Sequence, residues 1–139
     1  MRFIDASVFV HAFIKPRREL KPYEERIKRR AKQIVKGIDT GEEIAIGTVH
    51  LAEVANILED FMPLKSALEI VGSIISKPNI TLIDVTGKDC VKAMLAAQTN
   101  TIGLSDAIAY ILMSERRIQE IYSFDKDFDN LKDIKRITD

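Results

Sequence analysis

Residues 2–13 read RFIDASVFVHAF, and how that stretch is parsed decides the fold. RFI is a short apolar start that reads as a strand ending near Asp5, and ASVFVHAFI continues as a buried helix. Asp5 then interrupts an apolar run with an ionised group. Burying a carboxylate without a partner costs several kcal/mol, so Asp5 must cap the helix, pair with a cation or bind a metal.

Outward from there, strand and helix signals alternate. PYEERIKRRAKQIVKGIDTG has helical periodicity at Ile27, Ala31, Ile34, Val35 and Ile38, with Pro22 in its first turn and Gly41 at its end. EEIAIG is a strand candidate, and Thr48 offers an N-cap to VHLAEVANILEDFM. Pro63 and Pro78 bracket a helix over LKSALEIVGSIIS, and NITLIDV reads as a β-branched strand. TGKDCVKAMLAAQTN is a helix with Thr86 as cap, and Ser105 opens another, SDAIAYILMSERR. IQEIYSF is a strand, DKDFDN an acidic turn, and a last short strand lies near IKRIT. This alternation predicts an α/β domain over 1–139, with a twisted, mostly parallel β-sheet and helices on both faces. Ligands of such sheets sit beyond the carboxyl ends of the strands, which directs attention to the residues after RFI and IYSF.

The chain has 139 residues and 21 basic against 21 acidic side chains, the size and balance of one domain. Its 46% hydrophobic content and few Gly and Pro exclude collagen-like and disordered classes. No apolar run approaches a membrane span, and Asp5 breaks the stretch a signal peptide would need. One cysteine, Cys90, allows no internal disulfide or multi-cysteine zinc site, so a cytoplasmic setting is expected; Cys90 itself reads as a buried helix residue. Neither GxGxxG nor GxxxxGK[ST] occurs. Net neutrality hides an asymmetry: Lys15 to Lys36 holds ten Lys/Arg against three acids, whereas residues 37–139 hold ten against seventeen. That basic run suits a polyanion held beside an acidic site, or equally a solvated amphipathic helix.

Four acids stand where acids are awkward. Besides Asp5, Asp106 is the only charge in LSDAIAYILM, a segment apolar nearly all round its helix. Asp125 follows the strand IYSF, and Glu53 lies with Asn56 and Asp60 on the polar side of its helix. Each has a plain alternative: Asp5 or Ser7 as a helix cap, Asp106 as a first-turn acid, Asp125 in a solvated turn, Glu53 on the surface. If the carboxylates converge, each close pair repels by roughly 4 kcal/mol at about 4 Å. Such a cluster must hold protons or a divalent cation, and oxygen donors select hard ions such as Mg²⁺ or Mn²⁺. A metal so placed matches phosphodiester hydrolysis.

FIDASVF, TVHLAEVANIL, GLSDAIAYILM and YSFDKDFDNL, in this order and spacing, resemble the four acidic motifs of the PIN-domain ribonucleases, with the single-domain VapC-like toxins the nearest match in size. The resemblance implies that Asp5, Glu53, Asp106 and Asp125 are the metal-binding and catalytic acids. Ser7 and Ser123 would orient the first and last of them, and Asp127 could substitute for Asp125 or share the metal. It further implies a doubly wound α/β fold, an Mg²⁺- or Mn²⁺-dependent endoribonuclease acting on RNA, usually a homodimer, and in many members a toxin silenced by a small antitoxin. Other members process RNA without being toxins, or have lost activity.

The basic run adds an expectation that Arg26, Lys28, Arg29, Arg30 and Lys32 include phosphate-contacting, RNA-binding residues. Two other chemistries remain open. His11 and His50, the only histidines, could form a metal-independent acid–base pair. Asp5 or Asp125 could instead be the acceptor of a phospho-switch module, although the strand IQEIYSF lacks the expected lysine. Phe124 and Phe128, flanking Asp125, read as core residues.

Overall fold

Each strand among the described residues is only three or four residues long, so the sheet depends on what covers its faces. The computed structural model describes residues 1–138; Asp139, the last position of the expected domain, lies outside them. The strands are β1 (Arg2–Ile4), β2 (Ile44–Gly47), β3 (Ile80–Ile83), β4 (Glu120–Tyr122) and β5 (Lys135–Ile137), in the order β3-β2-β1-β4-β5. Every pairing is parallel, with Phe3 beside Ala45 and Ile4 beside Tyr122.

Period-two alternation sorts the side chains onto two covered faces. Ile4, Ile44, Ile46, Ile80 and Tyr122 meet α1 (Ala6–Phe13), α2 (Pro22–Asp39), α3 (Thr48–Phe61) and α4 (Leu64–Ser76). On the other face, Phe3, Ala45, Ile83 and Ile121 meet α5 (Gly87–Asn100) and α6 (Leu104–Glu115). Helices therefore cover both faces, as the sequence pattern predicts. The chain steps outward from β1 to β3, then returns to β4 on the other side of β1. This reversal puts a crevice beyond the ends of β1 and β4.

Several local expectations shift by a residue or two for identifiable reasons. Thr86 caps α5 as expected, forming a reciprocal capping box with Asp89. Thr48 does not cap α3. Gly47 holds that position, and Thr48 lies inside the helix, its hydroxyl accepting from the Val85 amide at 3.2 Å. Ser105 likewise sits inside α6, whose N-cap is Gly103. The acidic turn after β4 is a 3₁₀ helix, Lys126–Asn130, capped by Asp125. Cys90 lies on α5 but is half-buried rather than enclosed.

Gly47 is required by a close approach rather than by its backbone, which is extended at φ −77°. A Cβ there would stand 2.6 Å from His50 Nδ1 and 2.8 Å from Leu112 Cδ1. Gly47→Ala should therefore destabilise the fold by about 1–3 kcal/mol through overpacking. Urea unfolding checks this as a lowered midpoint at constant m, and an unchanged midpoint would show that His50 yields freely.

Candidate active site

Both strands bordering the crevice end in residues that cannot be left unsatisfied. Asp5 follows β1, is only 5% exposed, and caps α1 through the Ser7 amide at 3.4 Å. Its backbone N–H donates to the Tyr122 carbonyl, locking it to the end of β4. Ser123 follows β4, is fully buried, and its hydroxyl donates to Asp5 Oδ2 at 2.9 Å.

A directed hydroxyl chain results. The single proton of Ser123 is committed to Asp5, so Ser7 Oγ, 3.5 Å away, must be the donor of the pair. Ser7 Oγ in turn accepts from the Phe124 amide at 3.1 Å, and Ser123 Oγ from the Asp125 amide at 3.0 Å. Backbone amides of the segment after β4 thus feed two hydroxyls, of which Ser7 donates to Ser123 and Ser123 to Asp5. Such a chain polarises each successive bond in favour of the carboxylate.

Asp106 projects from the first turn of α6, whose buried Ala107, Ile108, Ala109, Leu112 and Met113 pin that helix to the sheet. Asp106, Asp125 and Asp127 each offer a carboxylate oxygen, and these oxygens all lie within 4.8 Å of one another. Asp5 and Glu53 stand outside that trio, yet their charges also act on Asp106. Burial, then Asp125, Asp5, Asp127 and Glu53, push the Asp106 carboxyl up from 3.8 to about 7. The five acids therefore share one electrostatic neighbourhood. The trio is an all-oxygen donor set that could hold a metal ion.

The protein occupies one oxygen of three of the surrounding carboxylates. Both hydrogen bonds to Asp5 fall on Oδ2, Asp125 Oδ1 accepts from the Asp127 amide at 2.9 Å, and Glu53 Oε2 accepts from Ser105 Oγ at 2.8 Å. Among the described residues, the second oxygens of Asp5, Asp125 and Glu53 have no protein donor. Ser105 was not singled out from the sequence as a site residue, because a serine at a helix start carries the same signature as an ordinary cap. Its carbonyl also meets His50 Nε2 at 2.9 Å, which places a proton on that nitrogen.

The two histidines have different surroundings. His50 is fully buried edge-on to Phe3, whereas His11 lies edge-on to Phe124 at 5.5 Å. Phe128 is core, as expected, and Phe124 is partly buried. The basic residues of α2 divide. Lys28 spends its ammonium on the His11 carbonyl at 3.0 Å and on the Ile14 carbonyl, closing the end of α1. Arg29 and Lys32 are exposed, while Arg26 and Arg30 border a cleft with Lys126.

The raised Asp106 pKa has a definite stability signature. Folded protein binds more protons than unfolded protein between pH about 4 and about 7, so metal-free stability falls as pH rises through that window. Asp106→Asn should flatten the fall, leaving the variant at least as stable as wild type at pH 8 in EDTA. Thermal unfolding at pH 5 and pH 8 tests this. An equal loss of stability at both pH values would instead make Asp106 a structural residue.

A family model for the PIN domain matches residues 2–134. No curated protein sequence matches the chain. Among solved structures, it resembles the Mycobacterium tuberculosis toxin VapC20, described as cleaving the sarcin-ricin loop, at 17% identity and TM-score 0.70 over 93% of both chains. A toxin–antitoxin complex from Klebsiella pneumoniae matches at 14% identity and TM-score 0.67, covering 97% of this chain and 96% of the other. VapBC2 from Rickettsia felis, bound to promoter DNA, matches at 12% and 0.66 over 98% and 96%. At these identities the structures attest the fold, and the family match spans nearly the whole sequence. The chain belongs to the PIN domain family.

Proposed function

We propose that this protein is a metal-dependent endoribonuclease that hydrolyses RNA phosphodiester bonds, and that it serves as the toxin of a toxin–antitoxin pair. The observation that carries the reading is the convergence of Asp106, Asp125 and Asp127 within 4.8 Å, with Asp5 and Glu53 adding their charge. Mutual repulsion on that scale is relieved by a divalent cation, and an all-carboxylate set suits Mg²⁺ or Mn²⁺. When bound, such an ion supplies a water acidified toward neutral pH and charge stabilisation at a phosphoryl oxygen.

The chain's own residues do the positioning. Asp5, Glu53, Asp106 and Asp125 are assigned as the catalytic acids, with Asp127 as a further ligand beside Asp125. Ser123 and Ser7 hold Asp5 in one orientation, and Ser105 does the same for Glu53. The toxin assignment draws on the toxins and toxin–antitoxin assemblies that share the fold. A homodimer and a small antitoxin partner belong to the same proposal. Among the described residues, no helix is long and apolar enough to cross a membrane.

Purified protein incubated with mixed cellular RNA should cut it in Mn²⁺ or Mg²⁺ and fail to do so in EDTA. Asp5→Asn and Asp106→Asn should abolish cleavage. Ser123→Ala should raise the metal concentration needed by about 10–100-fold, as expected when a group that orients a ligand is removed. Direct water attack on phosphorus, with the 3′-oxygen as leaving group, can leave 5′-phosphate and 3′-hydroxyl ends, whereas attack by the 2′-hydroxyl leaves a cyclic phosphate. Cyclic phosphate ends, or cutting that persists in EDTA, would overturn the metal mechanism.

A further inference from the structure

Beside the acids lies a cleft of about 360 Å³ whose lining has a different chemistry. Tyr23, Arg26 and Arg30 line it from α2, at spacings of three and four residues that put them on one helical face. Phe124, Lys126 and Arg136 close the opposite wall. Phe124 and Lys126 are the immediate chain neighbours of Asp125, so cleft and acid cluster share a border.

The charges here are not all committed. Arg136 is clamped by Asp129 through two 3.0 Å hydrogen bonds. Arg30 donates Nε to the neutral Thr138 carbonyl at 2.8 Å. Among the described residues, Arg26, Arg30 and Lys126 form no ion pair. Tyr23 is 53% exposed, an aromatic face open to solvent beside three cations. Cations spaced along a groove with an exposed aromatic ring are what a single nucleic-acid strand requires: phosphates meet the charge and a base stacks on the ring.

We infer that this cleft binds the nucleotide adjoining the scissile bond of a single-stranded RNA, with its phosphate on Arg26, Arg30 and Lys126 and its base on Tyr23. The substrate class rests on the ribonuclease reading, and the cleft's role is to aim the strand so that the next phosphate reaches the acids. It also narrows the basic run: Lys28 closes α1, and Arg29 and Lys32 lie off the cleft.

Anisotropy of a short labelled single-stranded RNA of mixed sequence, titrated in EDTA at several salt concentrations, tests binding apart from chemistry. Arg26→Gln with Lys126→Gln should weaken binding and shrink the log–log salt slope by about 1.4, two contacts at roughly 0.7 each. Tyr23→Ala should weaken it at least about fivefold with the slope unchanged, and Tyr23→Phe should retain it. Arg29→Gln with Lys32→Gln removes equal charge from the same helix and should change little. Equal losses in the two double variants, unaltered binding in both, or no binding by wild type would each overturn the cleft. Cleavage lost in Asp5→Asn alongside unaltered binding in Arg26→Gln/Lys126→Gln would sink the cleft and spare the nuclease. Cleft-dependent binding without cleavage would do the reverse.

Discussion

Like charges do not gather unless something larger holds them, and that opposition organises this molecule. Two carboxylates at about 4 Å repel by roughly 4 kcal/mol in a dielectric near 20. Against this stands burial: Ile108, Leu112 and Met113 anchor α6, each contributing about 1.5–3 kcal/mol. Asp106 sits in the first turn of that packed helix, so the apolar contacts of α6 hold its carboxylate against its neighbours. Burial first, and then the neighbouring carboxylates, raise the proton affinity of Asp106, whose carboxyl sits near neutrality instead of in the usual acidic range. Charge compensation, by a proton or a cation, therefore bears on the fold's stability.

The architecture converts that local tension into a defined place. β1 is the middle strand, and the connections leave it in opposite directions on its two sides. Asp5 and Ser123 emerge side by side where those directions part, and their 2.9 Å hydrogen bond ties the two borders of the crevice together. From the opposite face, Gly47 lets His50 approach. His50 meets the Ser105 carbonyl, and the Ser105 hydroxyl fixes Glu53. The carboxylates thus stand on a frame of small and buried residues that have no chemistry of their own.

Much of this was legible in the sequence because it rests on local pattern. RFI followed by an acid, the near-uniform apolarity of LSDAIAYILM with one charge, and Thr86 with Asp89 three residues on each carry their meaning within a few positions. What escaped depends on tertiary approach. Thr48 has the chemistry of a cap, yet Gly47 holds the position and Thr48 serves Val85 instead. Ser105 looks like a helix opener, and only the meeting of α3 with α6 makes it a partner of Glu53. Lys28 belongs to a basic run by composition, but the end of α1 claims it. Helical periodicity could place Tyr23, Arg26 and Arg30 on one face. It could not show that the segment after β4 closes over them.

The bond between Ser123 and Asp5 joins residues 118 positions apart, and it carries a consequence in time. Asp125 and Asp127 are synthesised long after β1, β2 and β3, and they follow directly on β4, which pairs with the remaining edge of β1. A nascent chain halted anywhere before residue 127 lacks the full cluster, whatever else has folded. The acids become a unit only when almost the whole domain has left the ribosome, so the full cluster's repulsion is absent from the growing polypeptide until the end of its synthesis.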